Sequence, residues 1–220
     1  QSPFPKENHL RLMVTDVTTK FTQRNVQEFE KIAKHIVEIV NSVPGNSAVF
    51  FPSFNVLESV FPFLFNRVSR EIIKQKPRMS STERATQLER FRNAASGFGA
   101  VMLGVSSGSY AEGLDYPGNE LLCSVIVGVP LQEMTLFNSC LIDYFEQKYA
   151  SGWHYGYIYP AITKAIQASG RVIRDEKDRG ISVFMDARFD WQNFSKCFPK
   201  DFSMIKTNNP KEFIEKFWQE

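Results

Sequence analysis

Four short stretches carry few polar side chains: Ala48-Val49-Phe50-Phe51, Gly99 to Val105, Leu121 to Val129 and Ile181 to Asp186. They are separated by segments with helical spacing. A strand that is apolar on both faces must be covered on both, and helices lying between such strands supply the cover. The pattern predicts an α/β fold, doubly wound, with a mostly parallel sheet and helices on both faces. Ligands of such sheets bind beyond the carboxyl ends of the strands, which places Pro52-Ser53, Ser106 to Asp115 and Asp186 to Arg188 near the functional edge.

The helices are read from period and caps. Asn25 precedes an apolar series at helical spacing (Val26, Phe29, Ile32, Ala33, Ile36, Val37, Val40), Glu28 stands three residues after it, and Pro44-Gly45 follows. Ser53 caps a second helix through about Phe65, and Ser80-Ser81 leads into a third carrying Leu88 and Phe91. Longer helices are predicted from about Leu131 to Tyr149 and from about Pro160 to Arg174, and a terminal one from Lys211 to Trp218.

At 220 residues the chain accommodates one sizeable domain. The twenty phenylalanines imply a core rich in aromatic contacts. With 26 basic against 24 acidic residues the net charge does not by itself argue for a nucleic-acid partner, so any phosphate-binding surface must be local. Cys123, Cys140 and Cys197 are isolated and read as reduced core thiols, with no metal site. His9, His35 and His154 are far apart and read as surface or satisfied structural groups. No apolar run approaches the ~20 residues of a membrane span, so an intracellular protein without a membrane partner is expected. The opening Gln1-Ser2-Pro3-Phe4-Pro5 reads as a piece of a longer chain.

Three segments carry candidate chemistry. In Gln167-Ala168-Ser169-Gly170-Arg171-Val172-Ile173-Arg174, a continuous helix puts Gln167, Arg171 and Arg174 on one face, and Gly170 lets a partner approach closely. Two guanidinium groups and an amide form a clamp for an anion with several oxygens. A helix end whose arginines favour the C-terminal dipole and pair with Asp175, Glu176 or Asp178 accounts for the same residues. The stretch Gly108 to Gly118, rich in glycine and small polar residues, is a functional loop or a plain connection with two turns. Ser53, after Phe50-Phe51-Pro52, suits a phosphate at a helix N-terminus and equally an ordinary cap.

Gln-x-x-Gly-Arg-x-x-Arg at 167–174 resembles the sixth helicase motif of superfamily two, and the longer string to Gly180 resembles that motif in XPD-type (DinG-like) helicases, whose parent proteins carry an iron–sulfur cluster. Glu112-Gly113-Leu114-Asp115 resembles the fifth motif, and Phe50 to Phe54 the fourth. Gln87 to Phe91, Met185-Asp186-Ala187-Arg188-Phe189 and Asp16-Val17-Thr18-Thr19 through Arg24 extend the likeness, in the family's order, over most of residues 10–200. The resemblance implies a RecA-like second motor lobe filling residues 1–220, with 1–24 leading in and 203–220 as an attached terminal helix. It also implies that Arg171 and Arg174, with Gln167, reach the ATP γ-phosphate across a cleft. Glu112, Gly113 and Asp115 then link the nucleotide to a single-stranded DNA track along Ser53, Ser109, Tyr110 and Arg188, with Tyr110 as a stacking platform.

The phosphate-gripping Gly-x-x-x-x-Gly-Lys-Ser/Thr loop and the acidic magnesium motif are absent from the chain. ATP and Mg2+ are therefore expected to be shared with a first motor lobe of the same protein. The 4Fe-4S cluster belongs to the parent, since three scattered cysteines cannot supply its four ligands, and the chain alone is expected to be inactive. Movement in the 5′ to 3′ direction, in DNA repair, is the implied activity of the parent. Two rivals stand beside it: a non-catalytic nucleic-acid or protein interaction domain that keeps the lobe fold, and a free-standing α/β enzyme using the Gly108 to Gly113 loop.

Overall fold

A computed structural model describes residues 4–108, 110–111 and 116–219. Seven strands form one sheet: β1 (His9–Val14), β2 (Ser47–Phe51), β3 (Glu71–Lys74), β4 (Ala100–Val105), β5 (Cys123–Val127), β6 (Gly180–Met185) and β7 (Ile205–Lys206). Their order is β3-β4-β2-β5-β6-β1-β7, and every pairing is parallel. The helices are α1 (Val26–Asn41), α2 (Phe54–Leu64), α3 (Ser81–Ala94), α4 (Leu136–Tyr149), α5 (Tyr159–Ser169), α6 (Gln192–Ser195) and α7 (Pro210–Gln219).

Alternation along each strand divides the interior into two layers. Val49 and Phe51 of β2, Val101 and Leu103 of β4 and Val183 and Met185 of β6 face a core closed by α1, α2 and α7. Ala48 and Phe50, Met102, and Phe184 face a second core closed by α3, α5 and the segments around Tyr110, Tyr116 and Phe189. The expected aromatic core is there: Phe184 meets Phe189, Phe198 and Phe202 edge to face at 5.3 to 5.7 Å.

Six elements depart from the sequence expectation. β1, β3 and β7 were not expected as strands, because they lie at or next to the sheet edges and carry His9, Arg11, Glu71 and Lys74 among their apolar residues. α4 begins at Leu136, after an extended run, instead of near Leu131. A π-helical turn (His154–Ile158) precedes α5. Most consequentially, α5 ends at Ser169. A tight 3-10 turn (Gly170–Val172) follows and Ile173 is already extended, so no helix carries Gln167, Arg171 and Arg174 together. Of the cysteines, Cys123 and Cys197 are buried as expected, burial pushing the Cys123 thiol up to about 12, but Cys140 is exposed on α4.

Asn46 joins three elements of the layered core. It is wholly buried, its Oδ1 accepts from the Ala100 amide at 2.7 Å, and its Nδ2 donates to the Phe91 and Glu120 carbonyls at 2.6 and 2.9 Å. Removing it strands one donor and two acceptors out of water, each costing roughly 1–3 kcal/mol. Asn46→Ala is expected to destabilise the chain by about 3 kcal/mol or more, read as a lowered urea midpoint; an unchanged midpoint refutes this role.

Candidate functional site

The carboxyl ends of the central strands lie together, with Phe51 beside Val105 and Val127 beside Met185. Over this edge opens a cleft of about 860 Å³, lined among others by Thr19, Phe21, Arg24, Ser53, Ser107, Lys164 and Arg188. The chain passes from β2 through Pro52 directly into α2, so the positive end of an eleven-residue helix abuts the cleft. Ser53 Oγ accepts from the Val56 amide at 3.4 Å, so it serves as an N-cap as well as lining the cleft.

The floor of one side is a saturated ion pair. Asp186, fully buried at the end of β6, receives the Arg188 amide, Nε and Nη2, each at 2.9 Å. The same carboxylate accepts the Thr18 hydroxyl at 3.2 Å and the Thr19 amide and hydroxyl at 2.7 and 3.1 Å. Thr19 Oγ1, its proton given to Asp186, accepts from Arg188 Nη2 at 2.8 Å. Arg24 then donates to the Thr19 carbonyl at 2.9 Å. Gly128, at φ +73°, lets this corner close: a Cβ there would sit 2.2 Å from Thr19 Oγ1. Arg188, expected along a DNA track, is therefore at the cleft but only 8 % exposed, its charge matched by Asp186.

The arginine segment lies at the opposite end of the sheet. Ser124 and Ser182, near the starts of β5 and β6, donate to the Ala168 and Ser169 carbonyls at 3.0 and 2.8 Å and hold the end of α5. Since the Ser182 proton is spent on Ser169, His9 Nε2 must donate to Ser182 at 2.8 Å. The ring proton therefore sits on Nε2, and burial, followed by the Arg11 charge, pushes His9 down to about 3 and keeps the imidazole neutral. Val172 packs on Gly180, the first residue of β6. Asp178 accepts the amides of Arg174 and Asp175 at 2.7 and 2.8 Å and turns the chain back toward the strand. Gln167 is exposed on α5, Arg174 is exposed and Arg171 half-buried. Nothing described lies within 4 Å of where a Cβ on Gly170 would sit, so the surface beside the arginines is open.

Arg171 Nε donates to the carbonyl of Ala111 at 2.8 Å, tying this segment to the loop that leaves β4. Tyr110, in that loop, is a correction: its ring is 1 % exposed and its hydroxyl donates to Gln87 Oε1 at 2.8 Å, so it faces the core and offers no stacking surface. Ser109, Glu112, Gly113 and Asp115 lie outside the described residues. The structure thus brings Ser53 and Arg188 to one cleft and does not bring Arg171 or Arg174 there. Sequence reasoning passed over Lys164, three positions before Gln167 on α5, and Phe21 and Arg24. The signal available was an aromatic between basic residues in the otherwise polar run Lys20-Phe21-Thr22-Gln23-Arg24.

The profile of the family described as the helicase C-terminal domain matches residues 36–204. The chain belongs to that family. Its likeness is to the XPD-type lobe of superfamily two. A probable ATP-dependent helicase of Methanocaldococcus jannaschii is 29% identical over 99% of this chain and 35% of its own length. The helicase subunit XPD of the general transcription and DNA repair factor IIH from Arabidopsis thaliana is 29% identical over 79% of this chain and 24% of its own length. A solved XPD helicase superposes with a TM-score of 0.69 at 23% identity, covering 90% of this chain and 35% of that one, and shares the RecA-like fold. The chain therefore spans about a third or less of the length of these two relatives.

Because Arg188 is buried against Asp186, its ion-pair partner among the described residues, Asp186→Ala is expected to cost roughly 3–5 kcal/mol, the usual result of orphaning a buried charge. Chemical denaturation of the variant measures this, and a loss below about 1 kcal/mol would show that the pair is dispensable.

Proposed function

We propose that this lobe is the ATP-sensing, DNA-tracking half of a 5′ to 3′ DNA helicase acting in DNA repair, ATP and Mg2+ being shared with a first motor lobe of the same protein. The observation that carries the reading is the hydrogen bond from Arg171 to Ala111. It joins a guanidinium suited to a transferring phosphoryl group to a loop that begins, at Ser106 and Ser107, beside the carboxyl-edge cleft. An arginine drawn toward a γ-phosphate pulls on that carbonyl, and the loop passes the displacement to whatever occupies the cleft.

In this reading Arg171 and Arg174 contact the γ-phosphate, and the exposed Gln167 lies on the approach to the same surface. Glu112, Gly113 and Asp115 are the coupling loop by resemblance. Ser53, Ser109 and Arg188 border the track, with Arg188 orienting Thr19 and the backbone around it. The open space over Gly170 suits close approach of the first lobe. The 4Fe-4S cluster is assigned to other parts of the parent, because the chain's cysteines supply two buried positions and one on the outer face of α4.

A second reading, a protein interaction domain that keeps the lobe fold, is favoured by one observation. α4 shows Leu136, Phe137, Tyr144 and Tyr149 to solvent, and Asn138 is its single buried residue. Such a domain would not need the two arginines.

Single-stranded-DNA-stimulated ATP hydrolysis by the parent protein separates the readings. Arg171→Ala and Arg174→Ala are expected to fold and bind DNA but lose roughly a hundredfold or more of turnover, as arginine-finger losses do; unchanged turnover overturns the ATP-sensing role. Gly170→Ala is expected to leave the unfolding midpoint unchanged, since its φ is −73° and the space is open. A fall in turnover in that variant reports the neighbouring lobe's approach.

A further inference from the structure

The lead-in segment sets one aromatic ring, Phe21, in the lining of the carboxyl-edge cleft and meets a second, Trp191, just after β6. Phe21 opens a 3-10 turn (Phe21–Gln23) and is 81% exposed, so it adds little to the core. The Arg24 guanidinium lies 5.5 Å from its ring centroid, and Lys20 Nζ lies 5.5 Å from the ring of Trp191, which is 42% exposed. Two ring–cation pairs result, Phe21 with Arg24 and Trp191 with Lys20, and the neighbouring residues Lys20 and Phe21 connect them along the chain.

These groups are not loosely held. Arg24 is tied to the Thr19 carbonyl, and Thr19 is fixed through its amide and hydroxyl on buried Asp186. The platform therefore stands on the end of β6. The same cleft is lined by Lys164, Ser53 and the positive end of α2, with Glu133 as the acidic group of the lining.

We infer that Phe21 and Arg24 form a base-and-phosphate clamp for one nucleotide step of a single strand, Phe21 stacking on the base and Arg24 neutralising the adjoining phosphate, with Lys20 and Trp191 repeating the pattern at the next step. Cations alone would suit any polyanion. Phe21, 81% exposed, keeps ring surface free beyond its contact with Arg24, which suits a polyanion that carries flat groups, and a duplex keeps those groups stacked internally. The inference rests on the DNA-track reading and names residues within it.

Fluorescence anisotropy with this chain, a labelled oligothymidylate and an abasic strand of equal length tests it. Phe21→Ala is expected to weaken oligothymidylate binding about fivefold or more and leave the abasic strand unaffected. Arg24→Gln is expected to weaken both and to lower the salt slope by about one counterion. If wild type binds oligothymidylate and Phe21→Ala binds it equally well, the clamp is wrong while the track stands. If Phe21→Ala weakens both strands alike, the cleft grips a polyanion without reading its bases, and the clamp is likewise wrong. If wild type binds neither strand at low salt, the track reading fails as well. Circular dichroism of each variant confirms folding, which the exposure of Phe21 makes the expected result.

Discussion

Both faces of the sheet's centre are out of water, and the rest of the lobe follows from covering them. β2, β4, β5 and β6 are buried along their whole length, so each needs helices above and below, and parallel strands need long connections to supply them. Parallel strands also collect their carboxyl ends on one side. The cleft over Phe51, Val105, Val127 and Met185 is thus a consequence of the same arrangement that buries the core.

The polar groups caught in that arrangement are used to fix its two ends. At the carboxyl end Asp186 gathers Arg188, Thr18 and Thr19 and so docks the lead-in segment against β6. At the amino end Ser124 and Ser182, on the face that looks toward α5, terminate that helix and set the arginine turn. Arg171 holds Ala111, in the loop after β4, through its carbonyl.

Much of this was legible in the residues. The caps Asn25, Ser53 and Ser80 mark helix starts because a side-chain oxygen there accepts an amide that the helix leaves orphaned, and all three do so. The apolar runs at 48–51, 100–105 and 123–127 are strands buried on both faces. Edge strands β3 and β7 escaped notice, since half their surface meets solvent and they need no continuous apolar run. β1 escaped because His9 and Arg11 interrupt it, His9 bonded to Ser182 and Arg11 lying over the Phe202 ring. For the site, the residue types pointed to Ser53 and Arg188 at one edge, but spacing alone misjudged Tyr110, which the returning loop carries into the core.

The sequence by itself determined the layer architecture, the family and which side chains are chemically equipped to hold an anion. Apolar periodicity and motif order are local properties that survive in a linear string. Only the tertiary structure decided that α5 stops at the Gly170 cap instead of running on to Arg174, because serines on two other strands take the Ala168 and Ser169 carbonyls there. It also decided that Arg188 is matched by Asp186 and that Phe21 is left facing water beside Arg24. Burial and pairing depend on which distant segment arrives at each position, and no window of neighbouring residues contains that information.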